Sequence, residues 1–267
     1  DERFGGESID ISFVGSLRLD QESAVAGMLH HDTGVLCAPT AFGKTVTAAA
    51  MIARRGVNTL VLVHRTELLK QWQERLQAFL GEGKDVIGTI GGGKAKPTGK
   101  IDIAVMQSIS RLGEVNQLVE NYGQVIVDEC HHVGATSIDA ILKRTKAKYI
   151  LGLTATPIRR DGLQPIIFMQ CGPIRYKVDP IKQALKRPFE HYVIPRFTRF
   201  NIKNNIEKNQ LTITDIYSQI VESDIRNKII VDDVIECVKN GRNPIVLTER
   251  TAHVKIFSKE LQKRLLD

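Results

Sequence analysis

Cysteine is scarce in this chain of 267 residues, four in all, and no two of them stand in a C-x-x-C spacing. Cys37, Cys130, Cys171 and Cys237 therefore make neither the paired clusters of a zinc ribbon nor a disulfide framework. Three of them lie in or beside apolar strand or helix patterns, as buried reduced thiols of a cytosolic protein do. Cys130-His131-His132 does not amount to a metal centre, because zinc takes four converging ligands and no second cluster is present. Long apolar runs are missing too. None approaches the ~20 residues that cross a bilayer, and no basic stretch followed by an apolar one opens the chain. The expectation from these absences is a soluble, cytoplasmic protein, nucleoid-associated if bacterial, with no membrane partner. What remains is an ordinary globular composition, 42% hydrophobic, long enough for one large or two moderate domains. The net charge of +7 is consistent with phosphate-rich partners without selecting one.

Against this background, the run Ala38-Pro39-Thr40-Ala41-Phe42-Gly43-Lys44-Thr45 falls between a strand pattern, Gly34 to Cys37, and a helix pattern, Val46 to Arg55. That placement points backbone N–H groups and a helix N-terminus at one spot, which is how polyphosphate is bound. Lys44 would reach the β- and γ-phosphates and Thr45 would hold Mg²⁺ through its hydroxyl. The first position of the loop is Ala38 rather than the usual glycine, but the small residue that must lie against the phosphates is Gly43. A second signal follows the apolar strand Gln124-Val125-Ile126-Val127, which ends in Asp128 and Glu129 at the edge where a parallel sheet binds ligands. Asp128 is placed to bind Mg²⁺ and Glu129 to accept a proton from the attacking water. Without the preceding loop, the same two acids would read as a strand-end turn capping the next helix. The run Gly91-Gly92-Gly93-Lys94 also resembles a phosphate loop. It is followed by the strand Ile101 to Val105 instead of a helix, and so reads as a flexible turn whose Lys94 or Lys96 grazes a phosphate backbone at most.

Strand and helix patterns alternate over 34–37, 44–55, 58–63, 66–80, 86–90, 101–105, 124–128, 136–143 and 148–153. The fold class is therefore α/β, a parallel sheet with helices on both faces and ligand contacts at the carboxyl ends of its strands. After Val178 the character changes. His191 to Phe200 alternates basic and aromatic residues, which fits an edge strand with a buried aromatic face better than a stacking surface for nucleic acid. Asn201 to Gln210 reads as a loop. A helix from Thr214 to Val238, broken near Ser223-Asp224, precedes a strand at Pro244 to Leu247 and a helix from Thr251 to Leu266.

Phosphate loop, Asp128-Glu129-Cys130-His131 box and Thr154-Ala155-Thr156-Pro157 turn, in this order, resemble superfamily 2 helicases and translocases, whose box is of the DEAD/DEAH kind. The stretches VDECHHVGAT, YILGLTATPIRRDGLQPIIF and CGPIRYKV between Val127 and Val178 are similar to the xeroderma pigmentosum group B type of DNA-repair helicase and to type III restriction-enzyme helicase (res) subunits. The resemblance covers nearly the whole chain. It implies a RecA-like motor domain at 1–185, then a linker and the incomplete start of a second RecA-like domain at 186–267. Gln21 would read the adenine edge with Arg18 nearby, while Pro39, Thr40, Ala41, Phe42, Gly43, Lys44 and Thr45 would hold the nucleotide. Asp20 stands where relatives often carry an aromatic ring, so base stacking is not carried over to it. Thr154 and Thr156 would couple ATP state to the nucleic-acid track, and His131 would face the second motor domain. Nucleic-acid contacts fall to His64 and Arg65 after one strand and to Gln107, Ser108 and Arg111 after another, residues that also suit ordinary helix starts. Arg159-Arg160-Asp161 replaces the Arg-Glu-Asp of the repair helicases, and the duplex-opening role assigned to that segment is not carried over with it.

The leading reading is an ATP- and Mg²⁺-dependent DNA helicase or translocase of repair or of a restriction system, in the latter case with nuclease or methyltransferase subunits. An RNA helicase and a nucleotide-switched clamp that grips duplex without unwinding stay open beside it. No Q-x-x-G-R-x-x-R pattern is present, and a missing arginine finger is worth ~10³–10⁵ in rate. The chain alone is expected to bind nucleotide but to hydrolyse ATP very slowly and not to translocate; turnover comparable with that of intact motors would contradict this. Lys44→Ala should abolish nucleotide binding, whereas Glu129→Gln should keep binding and stop hydrolysis in the intact protein, and unimpaired turnover in Glu129→Gln would remove Glu129 as the base.

Overall fold

Runs of β-branched and aliphatic residues, spaced by helices with one apolar face, build the first of two units into which the chain divides, Asp1–Phe189 and Glu190–Asp267. The structure, a computed structural model, describes residues 3–111, 114–132, 136–156, 162, 164–185, 192–198, 200–202 and 212–266. In chain order the first unit contains α1 (Leu19–Leu29), β1 (Thr33–Cys37), α2 (Lys44–Arg55), β2 (Thr59–Val63), α3 (Thr66–Leu80), β3 (Ile87–Gly91), β4 (Lys94–Lys96) and β5 (Ile101–Val105). It continues with α4 (Met106–Ile109), the short ribbon β6 (Ser110–Arg111) and β7 (Glu114–Val115), β8 (Gln124–Val127), α5 (Thr136–Arg144), β9 (Tyr149–Thr154), α6 (Gln164–Cys171), β10 (Ile174–Lys177) and α7 (Pro180–Leu185). One sheet of eight strands runs in the order β10-β1-β9-β8-β2-β5-β3-β4, parallel throughout except for β4.

Alternation along the strands divides the core into two layers. Leu36, Val61, Val63, Ile126 and Leu153 pack with residues of α1, α2 and α3 on one face. Val35, Leu60, Leu62, Val125 and Val127 pack with residues of α4, α5 and α6 on the other. Expected strands and helices between residues 34 and 153 lie where the periodicity put them, with 124–128 shortened because Asp128 already belongs to the turn after β8. The triple-glycine run is a reversal, as expected, and also opens a strand. Gly91 faces Lys94 across the β3/β4 pair, so Gly92 (φ +60°) and Gly93 (φ +78°) form a two-residue loop with left-handed backbone that glycine adopts freely.

Two expected strands are absent. Residues 192–198 and 200 form no strand, and Tyr192 and Phe197 are 77% and 91% exposed, so the basic-aromatic stretch buries no aromatic face; His191 and Arg199 lie outside the described residues. Pro244 to Leu247 likewise has no ladder partner, and Ile245 and Leu247 stand open to solvent. Alternation marks a strand only where a neighbouring edge accepts its hydrogen bonds, and no strand of the second unit is found among the described residues. That unit consists of α8 (Ile213–Val221), α9 (Asp224–Lys239) and α10 (Thr251–Leu266), with the anticipated break at Ser223. Of the loop expected at 201–210, all but Asn201 and Ile202 lies outside the described residues.

The amino edge of the sheet is clamped by buried polar side chains. Asn58, just before β2, accepts from the N–H groups of Glu7 and Gly123 and donates to the carbonyls of Gly99 and Asn121. Asp102, fully buried on β5, accepts from the Thr98 and Gly99 N–H groups, both at 2.8 Å, and from the Tyr122 hydroxyl at 2.6 Å. Burial and the neighbouring carboxylate push the Tyr122 hydroxyl far above its usual titration range, so it stays a donor. Replacing Tyr122 by Phe leaves Asp102 one donor short in the core. The expected cost is ~1.5–3 kcal/mol in urea unfolding, and an unchanged unfolding midpoint would show that the hydroxyl contributes nothing.

Candidate nucleotide site

The carboxyl ends of β1, β9, β8 and β2 lie side by side, so the turns that follow them open at one edge of the sheet. Register fixes their heights, with Cys37 opposite Thr154 and Val127 opposite both Gly152 and Leu62. After β1 the chain makes a short 3-10 turn, Thr40–Phe42, and enters α2 through Gly43, whose backbone is left-handed at φ +89°. A Cβ there would stand 2.6 Å from Gln21 Nε2 and 3.1 Å from Val46 Cγ1, so the position tolerates only glycine on two independent grounds. Gln21 itself is buried. Its Nε2 donates to the Phe42 carbonyl at 2.7 Å and its Oε1 accepts the Arg18 N–H at 3.0 Å, while the Arg18 guanidinium donates to the same Phe42 carbonyl and lies over the Phe42 ring. Both residues expected near adenine thus brace the loop from α1, and Asp20 accepts from Arg18 Nε.

Lys44, only 7% exposed, donates to the Ala38 carbonyl at 3.3 Å and pairs with Glu129 Oε1 at 3.4 Å. Glu129 has a φ of +47°, a left-handed conformation otherwise confined to glycines among the described residues. The turn aims its second oxygen at His131 Nδ1, 3.3 Å away. His131 Nδ1 is also 3.0 Å from Thr154 Oγ1, which accepts the Thr156 N–H at 3.1 Å. A continuous polar chain therefore runs from Lys44 through Glu129 and His131 to the turn after β9. Asp128 is buried beside it. Its Oδ1 accepts the Glu129 N–H at 3.0 Å and its Oδ2 accepts the indole N–H of Trp72 at 2.7 Å. Burial pushes the Asp128 carboxyl above the usual carboxylate range, the Glu129 charge adds to this, and the Trp72 hydrogen bond and Lys44 oppose it.

Lys44, Trp72, Asp128 and Glu129 line a cavity of about 240 Å³ together with Thr40, Thr45, Gln71 and Arg75. Thr45 and Asp128 share it, and an ammonium, a hydroxyl and a carboxylate around a loop without side-chain bulk fit a polyphosphate with a hard divalent cation. A larger cavity, about 670 Å³, lies in the second unit among Arg226, Ile245, His253 and Phe257, and none of the motif residues lines it. His64 and Arg65 follow β2, and Gln107 and Ser108 stand exposed on α4 directly after β5, on the same carboxyl edge and displaced along the sheet from the loop, whereas Arg111 is on β6 of the separate two-stranded ribbon. Pro157 and the Arg159-Arg160-Asp161 segment lie outside the described residues. The α3 residues Gln71, Trp72 and Arg75 carry no motif signal. Trp72, Leu76 and Leu80 recur at the spacing of an apolar helix stripe, which conceals the polar end of the indole.

Comparison with known proteins agrees with the fold. Residues 15–159 match the family described as type III restriction enzyme, res subunit. A protein of Acanthamoeba polyphaga mimivirus, provisionally named as the ATP-dependent RNA helicase L396, is 25% identical over 93% of this chain and 49% of its own length. The DNA 3'-5' translocase XPB2 of Sulfurisphaera tokodaii is 33% identical over 60% of this chain and 35% of its own. The chain thus spans about half the length of the first relative and less of the second. Among solved structures, the Hef helicase domain of Pyrococcus furiosus superposes with a TM-score of 0.54 at 20% identity, over 92% of this chain and 54% of that one.

Proposed function

From a chain that belongs to the type III restriction enzyme res-subunit family of superfamily 2 helicases, we propose the ATP-binding part of an ATP-dependent DNA helicase or translocase. The observation that carries this reading is the convergence of Lys44, Asp128 and Glu129 on one cavity at the end of β1 and β8. In it, the N–H groups from Gly43 to Thr45 and the Lys44 ammonium bind the β- and γ-phosphates. Thr45 and Asp128 would hold Mg²⁺, which would neutralise charge on the phosphate oxygens. Arg18 and Gln21 stand on the side of the loop where the adenine lies, and Pro39 to Phe42 form its wall.

Glu129 acts as the base. Its Oε1 is held by Lys44, and a phosphate that draws the ammonium away releases that oxygen to take a proton from the attacking water. The other oxygen stays with His131, so a change at the phosphate reaches Thr154 and Thr156 through a hydrogen-bonded path. His64, Arg65, Gln107, Ser108 and Arg111 carry the nucleic-acid backbone, a mode of contact that positions a strand without reading its sequence. Residues 186–267 are the linker and the beginning of a second motor domain, and in a restriction system the partners are nuclease or methyltransferase subunits.

An RNA track is the second reading, favoured by the likeness to L396 over nearly the whole chain. ATP turnover by the intact gene product, measured with single-stranded DNA, duplex DNA or RNA added and with Glu129→Gln as blank, separates the two. Stimulation by DNA with a loss of ~10²–10⁴ in the blank is the expected result; stimulation by RNA alone would move the track to RNA, and no stimulation by any nucleic acid would overturn the motor.

A further inference from the structure

We propose that Trp72 is a positioning residue for Asp128, and that its indole N–H sets how tightly the site holds Mg²⁺. The inference deepens the reading of the loop cavity as a Mg²⁺-nucleotide site and rests on it. Asp128 is 8% exposed, so water reaches little of its carboxylate, and a charge at that depth is held by donors built into the protein. The structure supplies two. The Glu129 N–H takes Oδ1, and the Trp72 N–H takes Oδ2 at 2.7 Å, at the short end of the range for N–H to oxygen bonds and with an ionised acceptor. A carboxylate has about four lone-pair positions, so with each oxygen holding one donor, further positions remain for a cation while the plane of the group is fixed.

The peg is rigid because the ring is packed into the core. It is buried at 3% exposure in the layer formed by α1, α2 and α3, with Leu76 and Leu80 continuing the same stripe of α3. An indole so packed cannot swing away, and its one polar atom is spent on a carboxylate that lines the cavity with Thr45 and Lys44. Removal of the N–H frees the plane of the carboxylate, so its open lone-pair positions no longer converge on one cation position. Partners in this outer position are worth ~10–100-fold in metal affinity at well-studied metal sites.

The test uses the chain with ADP and Mg²⁺ and does not depend on turnover. Trp72 is the only tryptophan, so intrinsic emission reports on this position alone. Emission should change on adding ADP with Mg²⁺ and not on adding ADP with EDTA. In Trp72→Phe, which keeps an aromatic ring and loses the donor, calorimetric titration should need ~10–100-fold more Mg²⁺ to reach half of its effect on ADP affinity. The affinity measured in EDTA should stay at the wild-type value, a split that a merely structural ring would not produce. Should Trp72→Phe fold poorly, benzothienylalanine at position 72 replaces the N–H by sulfur within an almost identical ring. A wild-type Mg²⁺ midpoint in either variant overturns the proposal while ADP binding stands; absence of ADP binding by the wild type, with Mg²⁺ or EDTA, overturns the nucleotide reading and takes this inference with it.

Discussion

Parallel register is the constraint on which the site depends. The phosphate loop, the acidic turn and the threonine turn come from three strands far apart in sequence, β1, β8 and β9, and act together only because β9 lies hydrogen-bonded between the other two with all three pointing the same way. A one-residue slip would turn Val35, Leu36, Val125 and Ile126 to the wrong layers, so the packing that divides the two faces is also what holds Lys44, Glu129 and Thr154 at matching height. The apolar core therefore sets the geometry of the candidate site as well as stability. At the opposite edge, Asn58 and Asp102 fasten the amino ends of β2, β5 and β8 with buried hydrogen bonds. Polar groups that are fully satisfied in a core specify register more sharply than aliphatic contacts, since each has few acceptable partners.

Between residues 34 and 153 the fold was legible in the sequence because strands buried on both faces are short aliphatic runs, and helices that cover a sheet carry a single apolar stripe. Helices α2 and α3 and strand β5 begin and end where the periodicity puts them. Elements outside that description were not. Strand β10 is an edge strand in which half-buried Ile174 and Tyr176 alternate with Arg175 and Lys177, and β4 is an exposed Lys-Ala-Lys that pairs only because two glycines turn it back. The opposite error occurred at 192–198 and 244–247, where an alternating stretch and a short apolar run read as strands and no receiving edge is found among the described residues.

The same contrast applies to the site. Lys44, Asp128 and Glu129 announce themselves because a strand, a turn and a helix in sequence dictate where their backbones go. The contributions of Trp72, Gln71 and Arg75 depend on how α3 leans over the loop, which is a tertiary fact. Gln21 shows a third case. Its position could be named from resemblance, yet its engagement with the Phe42 carbonyl, which also explains why Gly43 can bear no side chain, comes only from the packing of α1 against the loop.

Glu129 holds a backbone conformation that costs a non-glycine residue ~1–3 kcal/mol, and Lys44 and His131 pull its two carboxylate oxygens in different directions. The turn is thus preloaded, like a bow drawn between two anchors. Release of either anchor leaves a backbone free to recoil about one residue, next to a threonine turn that feels the displacement directly. Displacement in such a molecule need not begin with a domain; it can begin with a single peptide unit held in the wrong hand of the Ramachandran plane.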